Sequence, residues 1–315
     1  MSGYVHVVMS KTLWTLIAVL GLLASGMWIG RGDRGSPSAS LPSAHVRVVS
    51  LAPSVTELLF ALGAGDHVVG VTDRCDYPPE ATRIERIGGF GKPNMEKLLA
   101  LAPDLVVVGG PARRDLIQSL HKSGMRTLEV QIRSFDEMFQ TLRLIGQAVG
   151  MSPQAETLIA RMQGDLQTIA AEKARPSGQS SPRVFVELWD KPLTTAGGPS
   201  FLDEVIARAG GVNVAHELAQ PHPRINAEQV IDWNPDVVVV AHMAHGGDAA
   251  EQLATRIGWS GITAVRQQWI IGDIPPDCLL RPGPRLMEGI KLLTQRLRNP
   301  PHVEITVNEG EQAPP

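Results

Sequence analysis

The stretch Ser152-Pro-Gln-Ala-Glu-Thr-Leu-Ile-Ala-Arg-Met-Gln-Gly-Asp-Leu-Gln-Thr-Ile-Ala-Ala-Glu-Lys-Ala-Arg175 sits between two halves of chain that resemble one another. Ser152 suits a helix cap, and Pro153 suits the first helical position, where its missing N–H costs nothing. Ala155, Leu158, Ile159, Met162, Leu166, Ile169 and Ala170 then recur three or four apart, which predicts a helix with one apolar stripe. Pro176 and the Ser/Gly-rich residues 177–181 stop it. Two readings fit the segment: a rigid rod of roughly 33 Å holding two lobes apart around a cleft, or an ordinary long core helix.

Outward from this helix, strands alternate with helices on both sides. Strands are expected at residues 46–51, 67–71, 105–108 and 127–130, with helices at 54–62, 94–101, 113–122 and 135–149. The pattern then restarts, with strands at 183–188, 237–240 and 269–271 and helices at 200–209, 226–232, 248–256 and 285–297. Alternation of this kind predicts an α/β fold with mainly parallel sheets. Two segments share one register: Asn94-Met-Glu-Lys-Leu-Leu-Ala-Leu-Ala-Pro-Asp-Leu-Val-Val-Val108 and Asn226-Ala-Glu-Gln-Val-Ile-Asp-Trp-Asn-Pro-Asp-Val-Val-Val-Val240. Asn caps and Asp turns can produce such likeness locally. A shared register over the whole unit favours two similar lobes, at residues 45–151 and 177–298, joined by helix 152–176. A Pro- and Glu-rich tail, residues 299–315, is expected to be disordered.

The totals bound the function. At 315 residues the chain has room for about two domains. A net charge of −3 carries no basic footprint for nucleic acid. Two cysteines make neither a disulfide framework nor a Cys-rich zinc site. Lys11, an uncharged run over residues 12–30, and Arg31, Asp33 and Arg34 read as an export signal or a membrane anchor, with a Ser/Pro/Gly linker up to residue 44. The protein is therefore expected in the periplasm or on the outer face of the cytoplasmic membrane. Enzyme motifs fail one by one. His216-Glu217-Leu-Ala-Gln220 lacks the second histidine of a zinc-protease motif, Gly91-Lys92 lacks the rest of a phosphate-binding loop, and no Gly-x-Ser-x-Gly elbow occurs. No enzymatic activity and no catalytic cofactor are expected.

Several loops carry a family likeness. These are Arg47-Val-Val-Ser-Leu-Ala-Pro-Ser-Val-Thr-Glu57, Gly70-Val-Thr-Asp-Arg-Cys-Asp-Tyr-Pro-Pro79, Gly88-Gly-Phe90 with Asn94-Met-Glu96, and Asp277-Cys-Leu-Leu-Arg-Pro-Gly-Pro-Arg285. With them the chain resembles the helical-backbone metal-receptor group (class III) of periplasmic substrate-binding proteins, which serve ABC importers, and most of all its cobalamin-binding branch. The resemblance spans about residues 46–297. It implies a ligand held between the lobes: cobalamin or a related corrinoid, with haem or a ferric siderophore as the alternative and a zinc or manganese ion behind them. It also implies a monomer that hands its cargo to an ABC importer permease.

The ligand residues expected on this basis are Arg74, Cys75, Tyr77, Phe90, Trp189, His222, Asp277 and Arg281. Tyr77 with Pro78 and Pro79 forms a stiff aromatic loop, which loses little conformational entropy on contact. Phe90 lies among glycines that let a backbone approach a ligand closely. Arg74 and His222 stand where cobalamin-binding relatives carry aromatic residues. A guanidinium at residue 74 offers charge-assisted bonds to oxygen. The His222 imidazole offers either stacking or an axial bond to cobalt or iron. The alternative for Asp277 and Arg281 is that they pair with each other. Cys75 and Cys278 are expected to remain free thiols, since a bond between them would staple the cleft shut. Glu96 and Glu228 hold equivalent places in the repeat, and the resemblance makes them docking carboxylates for the permease. Each would also gain roughly 0.3–1 kcal/mol from the helix dipole with no partner at all. For a bare ion, His67, His216, His222, His242 and His245 are the available imidazoles, His242 and His245 being the closest pair.

Overall fold

The structure is a computed structural model that describes residues 46–110, 114–173, 180–242 and 249–300. The N-terminal apolar run with its linker, residues 174–176 of the central segment, His245 and residues 301–315 lie outside these. Among the described residues, no helix is long and apolar enough to cross a membrane.

The first lobe carries β1 (Val48–Ser50), helix α1 (Pro53–Ala61), β2 (Val68–Val71), the short hairpin of β3 (Gly88–Gly89) and β4 (Lys92–Pro93), α2 (Met95–Ala100), β5 (Leu105–Gly109), α3 (Arg114–Lys122), β6 (Thr127–Val130) and α4 (Phe135–Ala148). Its main sheet has the order β2-β1-β5-β6, every pair parallel. Helix α5 (Ser152–Glu172) follows. The second lobe then carries β7 (Arg183–Glu187), the hairpin of β8 (Trp189–Asp190) and β9 (Leu193–Thr194), α6 (Phe201–Arg208), β10 (Val212–Asn213), α7 (Ala227–Trp233), β11 (Val237–Val240), α8 (Ala249–Ala254), α9 (Thr263–Arg266), β12 (Ile270–Ile271), α10 (Pro276–Leu280) and α11 (Leu286–Arg298). Its main sheet, β10-β7-β11-β12, is also parallel and repeats the order of the first. β5 is buried along its whole length, as a strand covered on both faces must be.

The repeat extends to side chains. The Arg47 N–H donates to Asp104 Oδ2 at 2.8 Å while its guanidinium donates to the Leu101 carbonyl at 2.7 Å. In the second lobe the Arg183 N–H donates to Asp236 Oδ2 at 2.8 Å and its guanidinium to the Trp233 carbonyl at 2.7 Å. Asn94 and Asn226 cap α2 and α7 by accepting backbone N–H groups. Both units leave the helix through a left-handed residue, Ala102 at φ 43° and Asn234 at φ 42°. Asparagine tolerates that backbone better than alanine.

Helix α5 has 21 residues, about 31 Å at 1.5 Å per residue. It buries Ala155, Leu158, Ile159, Met162, Leu166 and Ile169, six of the seven stripe positions, and leaves Ala170 exposed. Its cap is Met151 rather than Ser152. The reason lies in the corner before it: the Met151 N–H donates to the Gly146 carbonyl at 2.6 Å, while the Met151 carbonyl already accepts from Ala155. Gly146 is needed there, since a Cβ on it would lie 2.7 Å from that of Ala155. α5 packs on α4 of the first lobe and on α6 and α11 of the second. One apolar cluster consequently runs from Val48, Leu58 and Met138 through the α5 stripe to Val184, Val205 and Ile290. The rod is thus both spacer and core helix, and the lobes share a hydrophobic interior beneath the cleft.

Candidate ligand cleft

In each sheet the chain reverses direction of winding beside its first strand, between β1 and β5 in one lobe and between β7 and β11 in the other. Such reversals leave a crevice at the carboxyl ends of the strands. In the first lobe Ala52–Ser54 follow β1, Gly109 and Gly110 end β5, and Val130 ends β6; all line one cavity of about 440 Å³. Opposite them lie Pro199–Phe201, Pro221, His222 and Leu280–Pro282 of the second lobe. The cavity is therefore bounded by both lobes.

Three of the expected ligand residues meet there. Phe90, in the turn between β3 and β4, is half exposed and lines the cavity. Gly110 keeps the approach to it open, since a Cβ would come within 3.3 Å of the ring. His222, between Pro221 and Pro223, lines the opposite wall, and loss of hydration lowers its imidazole pKa, so that the ring is neutral near pH 7. Arg281 is the third, at the end of α10.

Arg281 is not free for a ligand alone. Its guanidinium donates to Asp76 Oδ1 at 2.6 Å, lies 2.9 Å from Asp277 Oδ1 and reaches Glu57 Oε1 at 3.3 Å. Arg285 binds Glu57 through Nη2 at 2.6 Å and Nε at 3.0 Å. The Glu57 side chain is 1% exposed. Three carboxylates thus face two guanidiniums across the lobe junction, with Glu57 and Asp76 from the first lobe and Asp277, Arg281 and Arg285 from the second. Hydrogen bonding to Glu57 raises the Arg285 pKa further above its already high value. Hydrogen bonding to Arg281 lowers that of Asp76. The pairing of Asp277 with Arg281, one of the two alternatives for these residues, is the arrangement present.

The remaining expected ligand residues lie elsewhere, each for a local reason. Cys75 is fully buried, its sulfur 3.1 Å from the hydroxyls of both Thr56 and Thr72, so it supports its own loop. Cys278 is buried as well, and burial raises its thiol pKa; both are free thiols. The Tyr77 ring lies under the Arg285 guanidinium, 4.0 Å from its centroid. That places it on a hollow of about 590 Å³ behind the ionic network, lined by Phe60, Arg161 and Met287, and not on the cleft. Arg74 is exposed and Asp277 is partly buried, and neither lines the cleft. Trp189 is half exposed on β8, its indole N–H donating to the Lys191 carbonyl at 3.0 Å, and it too is away from the cavity wall. Glu96 and Glu228 are exposed in the first turns of α2 and α7.

The histidines do not converge. His242 Nε2 lies 2.9 Å from the buried Glu187, whose carboxylate also takes both terminal nitrogens of Arg256. His216 pairs with Asp203 at 3.0 Å, and His67 Nδ1 lies 3.2 Å from the Val46 carbonyl. Among the described residues, no group of three or more His, Cys, Asp or Glu could hold a metal ion.

Sequence reasoning passed over Arg133, Gln131 and Phe201 on the cleft wall and Glu57 beneath it. Arg133 sits before α4 and is clasped by Glu137 at 2.7 Å. Only Glu57 left a signal, as the one acidic residue in the apolar helix α1.

The sequence profile described as periplasmic binding protein matches residues 48–275. The chain belongs to that family. Among its relatives, it is 32% identical over 270 residues to the uncharacterized ABC transporter substrate-binding lipoprotein YvrC of Bacillus subtilis, covering 84% of each chain. It is 34% identical to the vitamin B12-binding protein of Salmonella typhimurium over 253 residues, 80% of this chain and 90% of that one. Among solved structures, the periplasmic heme-binding protein RhuT of Roseiflexus sp. RS-1 superposes with a TM-score of 0.71 at 28% identity, covering 80% of this chain and 97% of that one. The two-lobed α/β architecture is that of the family, and its periplasmic binding proteins place likeness on both B12 and haem binders.

Proposed function

We propose that this protein is the substrate-binding component of an ABC importer, exported across the cytoplasmic membrane, and that it captures cobalamin or a related corrinoid. The observation that carries this reading is the cavity between the lobes. Phe90 faces it from one side and His222 and Arg281 from the other, with glycine, proline and aliphatic surface, the Phe201 ring, and the polar Gln131 and Arg133 completing a lining that holds no carboxylate. A large flat chelate suits such a wall, because stacking needs area and its polar edge needs few, well-placed donors. The 34% identity to a vitamin B12-binding protein supports the corrinoid within that class. Cobalamin is here cargo and not a catalytic cofactor, and the relatives are binding proteins, which supports a role without catalysis. Glu96 and Glu228, one per lobe, are the docking carboxylates for the permease. Residues 1–44 serve as signal or anchor for a monomer that works in the periplasm or on the outer face of the cytoplasmic membrane.

Haem or a ferric siderophore is the second reading. It is favoured by the neutral His222, which can donate a lone pair to an open axial position of a chelated metal, and by the likeness to a heme-binding protein. Titration of the purified soluble protein with cyanocobalamin, haemin, a ferric siderophore and zinc, followed by absorbance and calorimetry, separates the readings. The corrinoid reading expects saturable one-to-one binding of cyanocobalamin. Haemin binding without cyanocobalamin binding would overturn it, and zinc binding alone would overturn both.

A further inference from the structure

Both arginines that line the cavity are matched by carboxylates set back from its wall. Arg281 has five N–H donors. Its Nη1 donates to Asp76 Oδ1 at 2.6 Å and to Glu57 Oε1 at 3.3 Å, and its Nη2 reaches Asp76 Oδ2 at 3.4 Å. Its Nε lies 2.9 Å from Asp277 Oδ1. Asp76 thus occupies the end-on fork of the guanidinium, an edge that suits a carboxylate. Among the described residues, what remains is a single Nη2 hydrogen, enough for one carbonyl. Arg133, on the opposite wall, is clasped side-on. Glu137 accepts from its Nη2 at 2.7 Å and its Nε at 3.2 Å, and from its backbone N–H at 2.7 Å. None of Glu57, Asp76, Glu137 and Asp277 lines the cavity. Arg133 with Glu137 is neutral, and Glu57, Asp76 and Asp277 set against Arg281 and Arg285 leave a charge of −1. The cleft therefore shows two guanidiniums to a ligand and offers it no net positive charge.

We propose that Asp76 and Glu137 are guard carboxylates that set which chelate this cleft accepts, favouring a rim of uncharged, amide-like groups over a rim of carboxylates. The proposal rests on the chelate-capture reading and deepens it. An amide rim asks for single hydrogen bonds, and the remaining Nη2 hydrogen of Arg281, the Gln131 amide and the Ser54 hydroxyl can supply them. A carboxylate rim would leave water for a site without net positive charge, and a charge desolvated without a partner is costly. To reach the Arg281 fork it must first displace Asp76. Asp76 is the exchangeable partner, with its side chain 58% exposed against 20% for Asp277 and 1% for Glu57. Removing its charge makes the junction neutral and opens the fork without reshaping the cavity wall. Discrimination of this kind comes from penalising the wrong ligand as much as from holding the right one.

The test titrates the purified full chain with two pairs of probes, matched in body and different in rim charge. One pair is cyanocobalamin and its isomeric monocarboxylates, each with one propionamide hydrolysed. The other is haemin dimethyl ester and haemin. Affinities are read by calorimetry and absorbance at about pH 7, where carboxylates are ionised. The parent should bind the uncharged member of the bound pair about tenfold more tightly than the acid. Asp76→Asn should tighten the acid about tenfold and move the uncharged member by less than about threefold, which cancels the preference. Glu137→Gln should shift the ratio the same way by about threefold, since Arg133 is the more exposed guanidinium. Asp76→Glu keeps the charge and should keep the parent's preference. Equal affinity for both members in the parent would overturn the proposal. So would variants that weaken both members alike, the mark of a merely structural role. Should Asp76→Asn not fold, the ratio in Glu137→Gln decides. The body that binds, corrin or porphyrin, judges the chelate reading, and the ratio within that pair judges the guards. Binding of neither pair removes both.

Discussion

Replacing Glu57 should damage this protein more than any other single change at the lobe junction. Its carboxylate accepts from Arg285 at 2.6 and 3.0 Å and from Arg281 at 3.3 Å, with almost no exposure to water. In Glu57→Ala, Arg281 keeps Asp76 at 2.6 Å and Asp277 at 2.9 Å, so it stays compensated. Among the described residues, Arg285 then keeps Asp277, at 3.7 Å, and the face of Tyr77. The loss therefore falls on one largely buried guanidinium. Removing one member of a buried pair costs about 3–5 kcal/mol, and the surviving stacking argues for the lower figure. For a chain of this size about 3 kcal/mol lowers Tm by roughly 6–12 °C. Thermal and urea melts of Glu57→Ala, Arg285→Met and the Glu57→Leu/Arg285→Met double variant measure it. The double variant should be more stable than either single one, because removing both charges restores an apolar junction. A Glu57→Ala melting point within about 2 °C of the parent, or a double variant worse than both singles, would refute the reasoning and show that water already compensates Arg285.

The remaining predictions concern the cleft and its supports. Phe90→Ala and His222→Ala should each weaken chelate binding about tenfold, measured by calorimetry, whereas Trp189→Phe should leave it unchanged. His222 has its pKa lowered by desolvation, so the folded state takes up a proton less readily than the unfolded one. Its contribution to stability is therefore unfavourable below about pH 6.5 and absent above. Any metal bond it makes should weaken as pH falls through the lowered pKa, and His222→Gln should abolish that dependence in a spectroscopic titration. Asp76 behaves oppositely: its lowered pKa stabilises the fold above about pH 3.9 and the benefit is lost as pH falls through the depressed value, so acid melts of Asp76→Asn should lack that part of the slope. Gly289→Ala should lower both Tm and chelate affinity, because its Cβ would lie 2.1 Å from the Cys278 carbonyl and push α11 away from the helix that carries Arg281.

Much of this was legible in the chain because it is governed by near-neighbour chemistry. The α5 stripe follows from its spacing, and the twin Asn-cap, helix, Pro-Asp, strand units follow from residue types at fixed offsets. β10 went unread, since two residues are too few to show a period, and α10 was hidden in a stretch that reads as loop between prolines. The cleft was legible only in part. Phe90, His222 and Arg281 stand in loops whose composition marks them, but no local pattern distinguishes a loop aromatic that faces a cavity, Phe90, from one that lies under an arginine, Tyr77.

The linear chain by itself determined that there are two parallel α/β lobes and one long helix between them, because periodicity and capping act within a few residues along the backbone. Only the tertiary structure decided that the lobes share a continuous core. It alone placed Glu57 across from Arg285, 228 positions away in the chain, and set Cys75 and Tyr77 apart from the residues that line the cavity between the lobes. Those outcomes depend on how separate surfaces meet and which charges must be neutralised when water is excluded, and distance in space sets them.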